Sequence, residues 1–352
     1  MGGSEERKRD WPLVVRRARE SDRDAVLSFA TETWDGWDYI PHAWPVWLAA
    51  TDGVMLVGCR ADEDLPVAIT RVAMVSPSEA WLEGIRVDPA VRGMEIAADL
   101  QVAELHWAAA QGATVIRYAT SARNEGSHRL GARHGIELLF AYRNYWWSPD
   151  PGEEPHDPSA FDADVRAEAT KLRGRVLDAL AADGRVATAA DAARVWRGLS
   201  EYAGFQAAQR LYEPRPWALG ELTAEAFGRH VERGEVITSG ERAVAILLRE
   251  QLAGEDSSLR LAHVDGEIDG IIDLGERVRE IAGDRTFRLR LPEDALAEGD
   301  DDRLSAAGYR SGDWSLHILG RPIDGAHPLP DIDPTRVVLA DEPRQIVEPL
   351  AF

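Results

Sequence analysis

Trp81-Leu82-Glu83-Gly84-Ile85-Arg86-Val87-Asp88-Pro89, then Ala90-Val91-Arg92-Gly93-Met94-Glu95-Ile96-Ala97 and a helical run to Gln111, is the stretch whose reading decides the fold. Trp81, Glu83, Ile85 and Val87 alternate with their neighbours at period two, which predicts a strand. Asp88-Pro89 stops it, because proline has no N–H to give a ladder. Ile96, Leu100, Ala103, Trp107 and Ala110 fall on one face of a helix, and Gly112 is placed to end it. A strand, a tight Arg-Gly turn and a helix start together make an anion site. The first amides of a helix have no internal partner and point along a favourable dipole.

Working outward, Leu13–Arg19 reads as a first strand. Ser21-Asp22-Arg23-Asp24 reads as a capping box, opening a helix to about Trp34 with Val26, Phe29 and Ala30 inward. Trp34 to Trp47 is aromatic, acidic and broken by Gly and Pro, so it is expected to be a loop or short helical turns. Val54–Ala61 and Pro66–Val75 form a hairpin across Asp62-Glu63-Asp64. Thr114–Thr120 is a buried strand. Asn124 to Ile136 is a helix closed by Gly135, and Leu138–Trp147 supplies the final strands.

Two spaced motifs make residues 12–147 resemble the GNAT superfamily of N-acyltransferases. The family's acyl-CoA loop follows Arg/Gln-x-x-Gly-x-Gly/Ala between the fourth strand and the third helix. Arg92, Gly93, Ile96 and Ala97 fit that pattern, while Glu95 stands where the inner glycine usually is. A glycine there lets the backbone approach the pyrophosphate. Glu95 adds a side chain and a negative charge, which weakens cofactor binding unless the carboxylate points to solvent. In the second motif an Asn begins a helix that ends in Gly-Phe, and Asn124, Gly135 and Ile136 fall on those positions.

The resemblance implies a mixed, mainly antiparallel α/β sheet flanked by helices, with acetyl-CoA as acyl donor. It implies that Ile85, Val87, Arg92, Gly93, Met94, Glu95, Ile96, Ala97, Asn124 and Ser127 contact the cofactor. An amide of the fourth strand would polarise the thioester carbonyl, in oxyanion-hole fashion. Glu83 is the expected base, because family members often carry a carboxylate there. A glutamate in an apolar strand is costly unless paired or exposed in a cleft, and a salt bridge to Arg71 or Arg117 is the alternative. The family's usual acid is a tyrosine seven residues after the Asn. That position is Gly131, leaving His128, His134 or Tyr142 as substitutes, or no dedicated acid. The segment after the first helix commonly forms the acceptor pocket. Trp34, Trp37, Asp38, Tyr39 and His42 are therefore expected to line it, with the rings and a carboxylate holding an ammonium, unless the rings only pack the domain.

With 352 residues and a hydrophobic fraction of 45%, the chain is long enough for two cores. The expected division is a disordered 1–11, a GNAT domain over 12–148, a Pro-rich acidic linker over 149–158, a degenerate GNAT-like copy over 159–321 and an irregular tail over 322–352. In the second copy, Trp217–Gly234 reads as a helix, Ala243–Arg249 and Leu259–Asp265 as strands, Gly270–Ile281 as a helix, and Thr286–Leu291 as a strand. Only Gly266-Glu267-Ile268-Asp269 stands where the Arg-Gly loop would be, so this copy is expected not to bind CoA.

A formal net charge of −21 argues against nucleic acid as a partner and favours cationic visitors, or simply a solvated acidic surface. No apolar run suits a membrane span, no signal core precedes the domain, and no metal site is read. The lone Cys59 fits a reducing cytoplasm and a buried core position. The expected protein is a cytoplasmic monomer or homodimer that acetylates a small amine. The alternatives are a non-catalytic acyl-CoA-binding protein of the same fold, or related CoA chemistry on a thiol or hydroxyl.

Overall fold

The period-two stretches of the first third become strands in the computed structural model, which describes residues 9–31, 33, 38–149, 162–250 and 258–340. They are β1 (Leu13–Arg17), β2 (Gly53–Arg60), β3 (Leu65–Ser76), β4 (Glu79–Val87) and β5 (Val115–Ser121). Helices α1 (Arg23–Leu27) and α2 (Ile40–Ala49) precede β2, α3 (Ile96–Ala110) joins β4 to β5, and α4 (Glu125–Arg133) follows β5. The chain divides into two units. Among the described residues, one holds those within 9–118, 124–137 and 319–340, and the other holds those within 119–123 and 138–318.

In the first unit the strand order is β5-β4-β3-β2-β1, followed by the strand Val337–Leu339. The pairs β1–β2, β2–β3 and β3–β4 are antiparallel, whereas β4–β5 is parallel, as a crossover through α3 requires. The sheet is therefore mixed and mainly antiparallel. Its core joins Leu56, Val72, Leu82, Leu100, Trp107 and Ile116. Cys59 is fully buried, and burial pushes its thiol up to about 12, the state of an inert buried thiol.

Several expectations change here. The cap read at Ser21–Asp24 lies earlier: the Asp22 carboxylate accepts the Arg19 amide at 2.7 Å and pairs with Arg16. Residues 40–47, expected as part of a loop or short helical turns over 34–47, lie in the ten-residue α2. Pro41 sits in its first turn, where the missing N–H costs nothing, and buried Ile40, Ala43, Trp44 and Trp47 hold it down despite Pro45. Helix α3 is buried nearly all round rather than on one face. The reason is the segment read as an irregular tail: Ile323, Leu329 and Ile332 pack against the core, and Pro330 O meets His106 Nε2 at 2.8 Å. Val337–Leu339 also pairs in parallel with β1. Three residues are too short a pattern to announce a strand.

The second unit takes Leu138–Trp147, expected to finish the first domain. These residues lie in one strand, Glu137–Trp147, antiparallel to Phe287–Pro292. The expected helix over 217–234 is a strand, Ala218–Glu221, followed by a helix, Ala224–Glu232. The strand read over 259–265 is two short strands in different sheets, while the helix Ile268–Ala282 forms where expected. Residues 1–8, most of the linker and 341–352 lie outside the described residues. Among the described residues no helix is long and apolar enough to cross a membrane, and no cluster of three His, Cys, Asp or Glu side chains is placed for a metal.

Candidate active site

β4 and β5 pair over only three residues, Glu79–Trp81 against Val115–Arg117. Beyond Trp81 the β4–β5 ladder stops, although both strands continue. An open parallel pair exposes main-chain donors and acceptors to whatever lies between the strands. Gly84 is what bends β4. The β3–β4 register slips between Ile69 and Arg71, so Gly84 and Ile85 oppose the single residue Thr70 as a bulge. Gly84 has φ +75°, and a Cβ there stands 2.7 Å from the Trp47 ring. No other residue fits both the angle and the ring. Ile85 and Val87, expected to line the pantetheine arm, follow directly and are half-buried.

The open edge runs into the loop. Asp88 caps a turn by accepting the Ala90 amide at 2.8 Å, and Arg92 and Gly93 are exposed beyond it. Gly93 (φ +81°) and Glu95 (φ +58°) are both left-handed. The first i→i−4 bond of α3 runs from Asp99 N–H to Glu95 O at 3.0 Å. The amides of Ile96, Ala97 and Ala98 precede it and have no intrahelical acceptor. Met94 packs against the core and Ile96 is buried within it.

Glu95 thus takes a glycine-type backbone conformation at the position where the family has glycine. A side chain there costs about 1 kcal/mol. Its carboxylate pairs with Arg133 at the end of α4 and with Arg336, and Arg336 also pairs with Asp99 at 3.0 Å. Hydrogen bonds from Arg336 and Arg133 hold the Glu95 carboxyl below its ordinary range. Both arginines reach it over long sequence separations, which is why sequence reasoning missed them.

Glu83 lies beside the bulge and pairs with Arg71, which also binds Asp52 at 2.6 Å. Burial disfavours the charged Arg71, but Glu83 and Asp52 outweigh it and hold the guanidinium above its usual value. The salt bridge named as the alternative to catalysis is therefore present, with Arg71 and not Arg117. Arg117 pairs with Glu79. Glu83 keeps 13% side-chain exposure.

The expected acceptor residues scatter. Trp34 and Trp37 lie outside the described residues. The Asp38 carboxylate is buried, accepts the Ile40 amide at 2.9 Å and pairs with Arg86 at 2.7 Å, so its charge is already matched. Tyr39 packs edge-on to Trp47 at 5.8 Å and under Arg86 at 5.1 Å. His42 is exposed. Asn124 caps α4, its Oδ1 accepting the Ser127 amide at 3.1 Å.

Gly131 leaves no room for the family tyrosine, since a Cβ there stands 2.3 Å from the Tyr118 hydroxyl. Tyr118 reaches from β5, donates to Ser127 O at 2.9 Å, and has a phenol raised by burial. The signal for it was a tyrosine on β5 facing a glycine on α4, a pairing that only the fold shows. Of the substitutes, His134 is lowered by burial, and Tyr142 is a buried residue of the second unit.

Residues 17–136 match the model of the acetyltransferase (GNAT) family. The fold is similar to that of a candidate acetyltransferase from Thermoplasma acidophilum, at TM-score 0.52 and 14% identity over 88% of this chain and 99% of that one. A GCN5-related N-acetyltransferase from Sphaerobacter thermophilus aligns at TM-score 0.48 and 16% identity, over 92% of this chain and 98% of that one. No curated protein matches the chain.

Proposed function

We propose that the chain acetylates the primary amine of a small, cationic molecule with acetyl-CoA as the acyl donor, a reading supported by the match of residues 17–136 to the model of the acetyltransferase (GNAT) family. The observation that carries this reading is the open β4 edge running into the left-handed loop and the uncommitted amides at the start of α3. The edge offers the pantetheine arm a strand to pair with, at Ile85 and Val87. The helix start offers the pyrophosphate N–H donors and a favourable dipole. Arg133 and Arg336 neutralise Glu95, so its carboxylate does not meet the diphosphate as a free charge.

In this account Glu83 accepts the ammonium proton, directly or through water. The neutral amine attacks the thioester carbonyl, forming the C–N bond. A β4 amide stabilises the oxyanion, and the C–S bond breaks to release the thiolate. The phenol placed beside the vacant tyrosine position is Tyr118. The overall acidity of the chain favours a cationic acceptor.

Calorimetry with CoA and acetyl-CoA, followed by thiol release across a panel of primary amines, tests the proposal. Binding plus amine-dependent thiol release supports it, and loss of turnover in Glu83→Gln with CoA binding kept assigns the base. The second reading, a non-catalytic acyl-CoA binder, draws on the Glu83–Arg71 pair and on Gly131. Binding without thiol release for any amine would favour it.

A further inference from the structure

Glu104, in the middle of α3, and Thr70, opposite the bulge, are two buried polar residues that the mechanism above leaves unused; they are 1% and 0% exposed. The Thr70 hydroxyl lies 3.2 Å from the backbone oxygen of Glu83 and also touches the Glu104 carboxyl. A threonine hydroxyl has one proton to give and lone pairs to accept with. Glu83 O can only accept, so it takes that proton, and the carboxyl must then give one of its own. Burial favours the protonated acid, pushing the Glu104 carboxyl up to about 8 against the opposing Thr70 contact. The result is a one-way chain: Glu104 O–H to Thr70 Oγ1, and Thr70 O–H to O=C of Glu83.

That carbonyl belongs to the same peptide unit as the Gly84 N–H. In a trans peptide the two groups point in opposite directions. Thr70 fixes the carbonyl on the β3 side, so the Gly84 N–H points to the other edge of β4, where pairing with β5 has ended. A hydrogen bond received by the carbonyl polarises the amide and strengthens the bond its N–H donates.

We propose that Thr70 and Glu104 are positioning residues that orient and polarise the Gly84 N–H as the donor to the thioester oxygen. The inference rests on the acyl-CoA reading above and goes further by naming the amide and the side chains that aim it.

The test compares wild type, Thr70→Val, Thr70→Ser and Glu104→Met by acyl-CoA binding and by steady-state kinetics with the best amine found. Thr70→Val keeps the volume and removes the hydroxyl. Its kcat should fall about tenfold or more, because the donor acts chiefly on the transition state. Its acetyl-CoA affinity should stay within about threefold of wild type, since the arm and diphosphate contacts remain. Thr70→Ser should recover most of the lost kcat. If Thr70→Val does not fold, Glu104→Met carries the test, with a smaller fall in kcat at unchanged affinity. A kcat within twofold of wild type in the folded variants would overturn the inference. A parallel loss of affinity would reduce both residues to packing. Wild type that binds no CoA would instead remove the acyl-CoA reading, a separate outcome.

Discussion

Replacing Glu104 with glutamine should make the protein more stable at neutral and alkaline pH, although the residue is buried and hydrogen-bonded. Its carboxyl is pushed from 4.5 to about 8 by burial. The folded protein therefore holds a proton that the unfolded chain releases above 4.5. Stability is then fully present below pH 4.5, falls by about 1.4 kcal/mol per pH unit as pH rises toward 8, and loses nothing more above it. From pH 5 to 8 the loss is about 4 kcal/mol, or about 10 °C of melting temperature for a unit of this size. Glu104→Gln removes the proton and supplies an amide N–H to Thr70 in its place. Urea unfolding of both proteins at pH 5, 6, 7 and 8 reads the difference. Every other titrating group is common to the pair and cancels. The two curves should diverge steadily with pH, with the variant the more stable at pH 8. Parallel curves would refute the assignment of a buried, protonated Glu104.

Other substitutions probe the rest of the site. Gly84→Ala forces a Cβ to within 2.7 Å of the Trp47 ring at a φ of +75°, and should cost about 2–4 kcal/mol in chemical denaturation. Arg71→Met strands the Glu83 and Asp52 carboxylates beside one another and should cost about 3–5 kcal/mol, measured the same way. Glu95→Gly should change CoA affinity by less than about tenfold, because two arginines already neutralise the carboxylate, whereas Arg336→Ala should weaken CoA binding more by releasing part of that charge. Calorimetric titration of the two variants and their double mutant checks the ordering, and the double mutant should regain affinity over Arg336→Ala.

Much of this site was legible in the sequence because its parts are local. The strand through Val87, its stop at Asp88-Pro89, the helix from Ile96 and the Asn124 cap each depend on residues a few positions apart. What the sequence withheld depends on distant pairs. Asp38 looked available for an ammonium until Arg86, 48 residues on, matched its charge. Glu95 looked like an obstruction until Arg336 reached it from 241 residues away. Tyr118 filling the gap at Gly131 is a packing fact between a strand and a helix. Periodicity also misread α3, whose outer face looked like solvent and is covered by residues near Pro330. The helix at Ile40–Ala49 was hidden by its two prolines, which are breakers in isolation but are tolerated where buried tryptophans anchor the turn.

The central claim is that the open β4 edge and the start of α3 together hold an acyl-CoA. Isothermal titration of the full chain with CoA tests it most directly. The account predicts saturable, one-site binding that weakens in Arg336→Ala and persists in Glu83→Gln. No heat of binding at millimolar CoA, with the protein folded, would contradict it.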